Sequence, residues 1–263
     1  MIDANLTEYG SQSDLLSWIS PEKAREAESR RAQMLGACSS GIEFDFKGTK
    51  PHSGLLSPGC LICGQGTWSC LFINGKCNCR CFYCPASQDN ISVPTTNRIS
   101  FDTSRDYVDY VRHFDFKGIS ISGGEPLLTF ERSLHYVEAA RRELGETPYI
   151  WMYTNGTLAT RDRLERLRDA GLNEIRFDIS AVNYDLTGVR IAANIIPCIT
   201  VEIPSIPEDY HLLLDLLPQL HEAGVKHLNL HQLRLTPYNL SRLSGRNYTF
   251  LHGERVTVME SEL

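Results

Sequence analysis

Residues 77–84 read Cys77-Asn78-Cys79-Arg80-Cys81-Phe82-Tyr83-Cys84, and Cys77, Cys81 and Cys84 stand in the spacing Cys-x3-Cys-x2-Cys. Three thiolates so close in one loop can wrap one face of an iron–sulfur cube, whose usual ligands they are. Three sulfurs on four irons leave one iron open to a substrate or cofactor, as catalytic zinc sites keep one open position. The other cysteines agree with local metal chemistry. Seven of the nine lie between Cys60 and Cys84, and only Cys38 and Cys198 lie outside. A disulfide framework would spread its cysteines to staple distant segments, and a reducing compartment favours metal or redox chemistry.

Outward from this loop, short apolar runs alternate with amphipathic segments. Strands are expected at 68–74, 117–122, 149–154, 174–180, 198–203 and 227–233, and helices at 104–114, 127–144, 161–170, 185–194 and 209–223. That alternation implies right-handed parallel crossovers, hence an α/β sheet or barrel. One strand face is repeatedly polar. Arg176, Asp178 and Ser180 alternate with Ile175, Phe177 and Ile179, Thr200 and Glu202 alternate with Ile199, Val201 and Ile203, and Ser120 and Ser122 alternate with Ile119 and Ile121. Asn229 and His231 likewise interrupt Leu228 and Leu230. Parallel strands covered by helices on both faces are apolar on both. The pattern therefore predicts a wide or incompletely closed barrel with helices outside and a wet cavity inside, rather than an open sheet with scattered buried polar residues.

The ends read differently. A short helix is expected over 13–19. A longer one is expected over 21–35, with Ser20 as N-cap, Pro21 at the first helical position and Gly36 as its stop. The stretch 38–66 is rich in Gly, Ser and Pro and reads as loop. Thr257 and Glu260 have the spacing of a capping box, yet the sequence stops at Leu263, and so short a helix does not stand alone. The expected organisation is an N-terminal helical and cysteine-containing extension over 1–66, a barrel over 67–243, and a tail over 244–263 that is either disordered or the mark of a truncated chain.

Composition narrows the function classes. The 263 residues are 42% hydrophobic and 22% charged, which excludes disorder, collagen-like repeats and coiled coil. A net charge of -6 argues against nucleic-acid binding. No apolar run approaches the roughly 20 residues that span a bilayer, and the polar start lacks the features of a signal peptide. A cytoplasmic location is expected.

The chain resembles the radical S-adenosylmethionine (radical SAM) superfamily. The resemblance rests on the cysteine loop at 77–84, on the aromatic Tyr83 before its last cysteine, on Gly123-Gly124-Glu125-Pro126 after the second strand, and on the six-strand βα pattern. It covers roughly 68–237, about two-thirds of the chain. It implies a partial (β/α)6 barrel that holds a 4Fe-4S cluster at Cys77, Cys81 and Cys84 and chelates SAM through the open iron. The reduced cluster would split SAM into methionine and a 5′-deoxyadenosyl radical, which abstracts hydrogen from a substrate. An electron donor such as flavodoxin or ferredoxin is implied. Carried over residue by residue, Gly123 and Gly124 let the backbone approach the SAM amino group, and Glu125 accepts from that ammonium or holds the turn before Pro126. Tyr83 resembles the position that contacts the adenine through its backbone. Thr154 and Asn155 stand where ribose or methionine contacts are expected. Asp178 and Ser180 are similar to the Asp-x-Lys of pyruvate formate-lyase-activating enzymes, with Ser in place of Lys, and His231 faces inward toward SAM or substrate. In simpler roles, Asp178 anchors Arg176 and His231 is a hydrogen-bonded core residue.

Cys60, Cys63 and Cys70 form Cys-x2-Cys-x6-Cys just upstream. With Cys79, Cys38 or a non-cysteine ligand they are expected to hold a second site, either an auxiliary iron–sulfur cluster or zinc. In the alternative, Cys70 is a buried strand residue and Cys60 and Cys63 are a redox dithiol or inert. Cys198 reads as core. The substrate is a peptide, a protein or a small molecule, with a glycyl-radical-enzyme activase as one sub-reading. A function of another class also stands: a non-catalytic iron–sulfur or zinc protein for electron transfer or partner binding.

Overall fold

The computed structural model describes residues 1–38, 41–90 and 92–262. Its N-terminal region holds helix α1 (Ile2–Tyr9), helix α2 (Pro21–Ala37), a hairpin of β1 (Glu43–Asp45) and β2 (Lys50–His52), and helix α3 (Pro58–Gly64). Then come β3 (Trp68–Asn74), β4 (Thr95–Thr96), β5 (Ile99–Ser100), α4 (Ser104–His113), β6 (Gly118–Gly123), α5 (Phe130–Leu144), β7 (Tyr149–Thr154) and α6 (Arg161–Asp169). The chain continues through β8 (Glu174–Phe177), α7 (Thr187–Ala192), β9 (Cys198–Pro204), α8 (Tyr210–Glu222), β10 (His227–His231), α9 (Leu240–Leu243), β11 (Phe250–Leu251) and β12 (Thr257–Val258).

The main sheet has the order β10-β9-β8-β7-β6-β3-β4-β5. From β3 through β10 its six long strands pair in parallel with their sequence neighbours. Among the described residues no pairing joins β10 to β3, so the curl stays open, as the strand–helix alternation implies for a partial barrel. Alternate residues of the strands, such as Ile121, Met152, Phe177 and Val201, are buried in one core with Val111, Leu164, Leu167 and Leu220 of the outer helices. Burying each such side chain contributes about 1.5–3 kcal/mol.

The opposite strand face is not uniformly wet. Its lower half is filled. Trp151 is fully buried, and the Arg176 guanidinium lies 5.0 Å from a Trp151 ring. Arg176 pairs with Glu174 at 2.8 Å and with Glu202 at 2.6 Å, and Thr200 donates to Glu174 at 2.7 Å. Buried charges persist where they are paired in this way. The floor is closed by α3, within the stretch expected to be loop. Ser57 caps it by accepting from Cys60 N at 3.1 Å, with Pro58 in the first turn. A Cβ on Gly59 would sit 2.4 Å from Arg176 Nη2, so only glycine lets this helix reach the ion pair.

The ends also depart from the reading of the sequence. Helix α2 begins at its Ser20 cap as expected but runs through Gly36 to Ala37. Residues 10–15 form a 3-10 turn instead of a helix over 13–19, and Trp18 bridges to Phe250. The fourth parallel strand stops at Phe177, because Asp178 caps a 3-10 turn by accepting from Ala181 N. Thr257 and Glu260 form no capping box. Thr257 is in β12, and the Glu260 carboxylate accepts from Thr249 N at 2.9 Å. The last segment is packed, not disordered: Phe250, Val256 and Val258 share a second core with Tyr9, Leu16, Leu233, Leu243 and Tyr83. Among the described residues, no helix is long and apolar enough to cross a membrane.

Candidate active site

The cysteine loop leaves the C-terminal end of β3 and is held by its own turns and by distant side chains. Cys77 N donates to Gln88 O at 3.1 Å, and Gln88 Nε2 donates to Cys79 O at 3.2 Å. The C-terminal segment clamps the far side. Arg242 Nη1 donates to Cys81 O at 2.9 Å, Asn239 Nδ2 to Tyr83 O at 2.9 Å, and Thr236 Oγ1 to Pro85 O at 3.1 Å. None of these three residues was singled out in the sequence. They stand about 150 positions or more from their partners, and no local pattern marks them.

The Gly-Gly-Glu-Pro turn packs against the root of the same loop. Gly124 N donates to Asn74 O and Glu125 N to Lys76 O, both at 2.8 Å. Gly123 has φ +130°, and a Cβ there would lie 2.2 Å from Asn74 O, while one on Gly124 would lie 2.0 Å from Lys76 O. The two glycines thus have a structural role independent of any ligand, since they let two backbones touch. Glu125 holds the turn. Its Oε1 accepts from Leu127 N at 2.9 Å and Thr154 Oγ1 at 2.8 Å, and its Oε2 accepts from Asn155 N at 2.8 Å. Burial outweighs these donors and keeps the carboxyl above its ordinary pKa. Asn155 extends the network to the cysteines, donating from Nδ2 to Asn78 Oδ1 at 2.8 Å with Cys77 Sγ at 3.8 Å. Pro126 is buried and starts a 3-10 turn.

Tyr83, Asp178 and Ser180 meet on the opposite wall. The Tyr83 hydroxyl lies 2.9 Å from Asp178 Oδ2, and Ser180 Oγ donates to Asp178 Oδ1 at 2.6 Å. Burial pushes the Asp178 carboxyl up despite these two donors. Asp178 does not anchor Arg176, whose carboxylate partners are Glu174 and Glu202. His231 ends β10 and is exposed rather than a core residue.

These groups line one cavity of about 850 Å³ at the C-terminal ends of the strands: Cys77, Cys79, Cys81, Tyr83, Cys84, Gly123, Gly124, Glu125, Thr154, Asn155, Asp178 and His231. The volume lies within the range of about 300–1,000 Å³ common for small-molecule sites. Burial pushes the Cys81 thiol up to about 12 and the Cys79 thiol up to about 11, and it raises Cys84 as well. Arg80, the loop's only basic residue, pairs with Asp89 at 2.9 Å. Half-buried thiols whose charge is disfavoured in this way become thiolates when a metal supplies the positive charge. The donor set therefore fits an iron–sulfur cluster. Among the described residues, no three His, Cys, Asp or Glu side chains are drawn together as ligands of a single metal ion.

Of the other cysteines, Cys63 lies within electrostatic reach of both Cys60 and Cys70. Cys60 and Cys63 ride on α3 under the barrel floor, Cys70 is on β3 opposite Ser120, and Cys38 is exposed at the end of α2. Cys79 lines the upper cavity instead. Cys198 is buried at the start of β9.

Residues 71–226, more than half of the chain, match the family model of the Radical SAM superfamily. The chain is 29% identical over 205 residues to a protein of Methanocaldococcus jannaschii, named for an assigned glycyl-radical enzyme activating role, covering 73% of this chain and 54% of that protein. It is 32% identical over 120 residues to GTP 3′,8-cyclase of Staphylococcus carnosus, covering 44% of this chain and 34% of the cyclase. The chain thus spans about half the length of the first relative and about a third of the second. Among solved structures, Streptococcus suis SuiB bound to precursor peptide SuiA aligns over 80% of this chain and 52% of that chain, at 13% identity and a TM-score of 0.49.

Proposed function

The chain belongs to the radical SAM superfamily, whose members use a 4Fe-4S cluster and SAM, and from that premise we propose that it cleaves SAM reductively to start radical chemistry on a peptide or protein. Cys77, Cys81 and Cys84 hold the cluster in this reading. With SAM bound, such a cluster would supply the reductive chemistry that starts hydrogen-atom abstraction from the substrate. The chain's own groups prepare the space. The glycine turn sets the cavity wall against the root of the loop, and Glu125, fixed by three donors, keeps Thr154 and Asn155 in place. Asp178 and Ser180 hold the hydroxyl of Tyr83, whose side chain also meets Cys81. Arg242 and Asn239 hold the backbone carbonyls of Cys81 and Tyr83 and so fix the loop's path. The single observation that supports this most is that all four thiols of the loop and the Gly-Gly-Glu turn line the same cavity. The peptide or protein substrate is supported by the name of the archaeal relative. A flavodoxin- or ferredoxin-like protein is the electron donor in this reading.

Anaerobic protein loaded with iron and sulfide, given SAM and dithionite, is expected to release methionine and 5′-deoxyadenosine. Cys81→Ala is expected to lower that rate at least about 100-fold, as loss of an essential group does, whereas Cys198→Ser in the strand core is expected to retain it. Equal loss in both variants would refute the ligand assignment. A fully loaded protein that cleaves no SAM would favour an electron-transfer or partner-binding role.

A further inference from the structure

We propose that Arg234 and Arg255 form an oxyanion subsite on the cavity wall that receives a carboxylate or phosphate of the substrate. The proposal rests on the reading of the cavity as a reaction site and adds the chemistry of what enters it.

The alternation of two extended segments sets the pair. Leu233 and Leu235 are buried on either side of exposed Arg234, and buried Val256 follows exposed Arg255. Leu235 N donates to Val256 O at 2.9 Å, and Arg234 bridges antiparallel to Thr257. With the leucines and valines turned into the second core, Arg234, Arg255 and Thr257 share the other face, and all three line the cavity that also holds the cysteine loop. Two arginines placed diagonally across an antiparallel pair lie within about 7–8 Å and repel each other. Burial, then the Arg255 charge, lowers the Arg234 pKa against the opposing effect of Tyr9 and Glu8.

Glu8 is near Arg234, and Glu254 and Glu262 line the same cavity. Yet among the described residues neither arginine makes an ion pair, while Arg246 nearby pairs with Glu208 at 3.2 Å. Glu262 instead accepts from Thr257 Oγ1 at 3.1 Å. A chain with a net charge of -6 thus keeps two guanidinium forks open on the cavity that also holds the cysteine loop. Guanidinium forks match carboxylate and phosphate oxygens in pairs. A bound oxyanion would relieve the repulsion and orient the attached substrate toward the thiol loop.

The test is binding of inorganic pyrophosphate and, separately, succinate to the iron-loaded protein by calorimetry at constant ionic strength. Saturable one-to-one binding of either anion is expected, weakened at least tenfold in R234Q/R255Q. The anion preferred distinguishes a phosphate source from a carboxylate source. Three results would overturn the subsite: no binding of either anion, equal binding by the double variant, or a tenfold loss of SAM affinity in that variant, which would give the pair to the methionine carboxylate instead. Neither binding measurement requires SAM cleavage, so a failed subsite is distinguishable from a failed radical chemistry.

Discussion

Glu125 is 1% exposed and its carboxylate takes three hydrogen bonds, from two backbone amides and one hydroxyl. Its carboxyl is nevertheless raised, because burial outweighs the donors. A carboxyl raised on folding contributes its full stability below its unfolded pKa of about 4.3, and that contribution is lost as pH rises through the folded value. Relative to Glu125→Gln, the wild-type chain is therefore expected to gain stability as the pH falls through the raised folded value toward about 4.3. The difference in urea midpoints measures the gain, and a flat difference would contradict it. Asn239 is fully buried and joins Tyr83 O, Arg234 O and Thr236 N at 2.8–2.9 Å. Asn239→Ala strands these groups at about 1–3 kcal/mol each. A net loss of about 3 kcal/mol is expected in denaturant unfolding, and a loss below 1 kcal/mol would show that water replaces the clamp. At this scale the sequence is half legible. The cysteine spacing and the Gly-Gly-Glu turn are local and readable. The partners of Glu125 and the clamps on Cys81 and Tyr83 depend on chain returns that no motif announces.

Helix α3 shows why one element was missed. It begins with Ser57-Pro58, the same signal as Ser20-Pro21 of α2, but its glycines and cysteines give no apolar periodicity. The helix owes its place to the barrel floor, not to its propensity. Gly59→Ala would put a methyl 2.4 Å from Arg176 Nη2 and 2.9 Å from Glu174 Oε2. Overpacking of this kind costs about 1–3 kcal/mol. A drop of that size in stability, with an altered near-ultraviolet signal from Trp151, is expected, and an unchanged signal would mean that α3 does not pack there in solution. The long strands and outer helices were legible because period-2 and 3.6 patterns are strong over such lengths. The polar inner face was read correctly as a face. Its lower half is nonetheless filled, because α3 closes it and Arg176 bridges Glu174 and Glu202.

Across the whole molecule, the two ends of the chain meet over the site. Asn5 of α1 donates to Gly253 O at 3.1 Å, Trp18 stacks on His252 at 3.9 Å, and Tyr83 joins the core of Phe250, Val256 and Val258. Sequence patterns did not reveal this second core, because its pieces are short and lie more than 200 positions apart. Deleting 244–262 removes Tyr248, Phe250, Val256 and Val258, at about 1.5–3 kcal/mol each, a large part of a domain's usual 5–15 kcal/mol. The shortened chain is expected to lose iron on gel filtration and to be cut by protease within 233–243. Full iron retention would show that the loop needs no such cover.

Electron paramagnetic resonance of the reduced, oxygen-free protein with and without SAM tests the central claim most directly. A cubane signal of one four-iron cluster, shifted by SAM and absent in Cys81→Ala, is the predicted result. A full-strength signal that SAM leaves unmoved, or a spectrum with no cubane, would contradict the account.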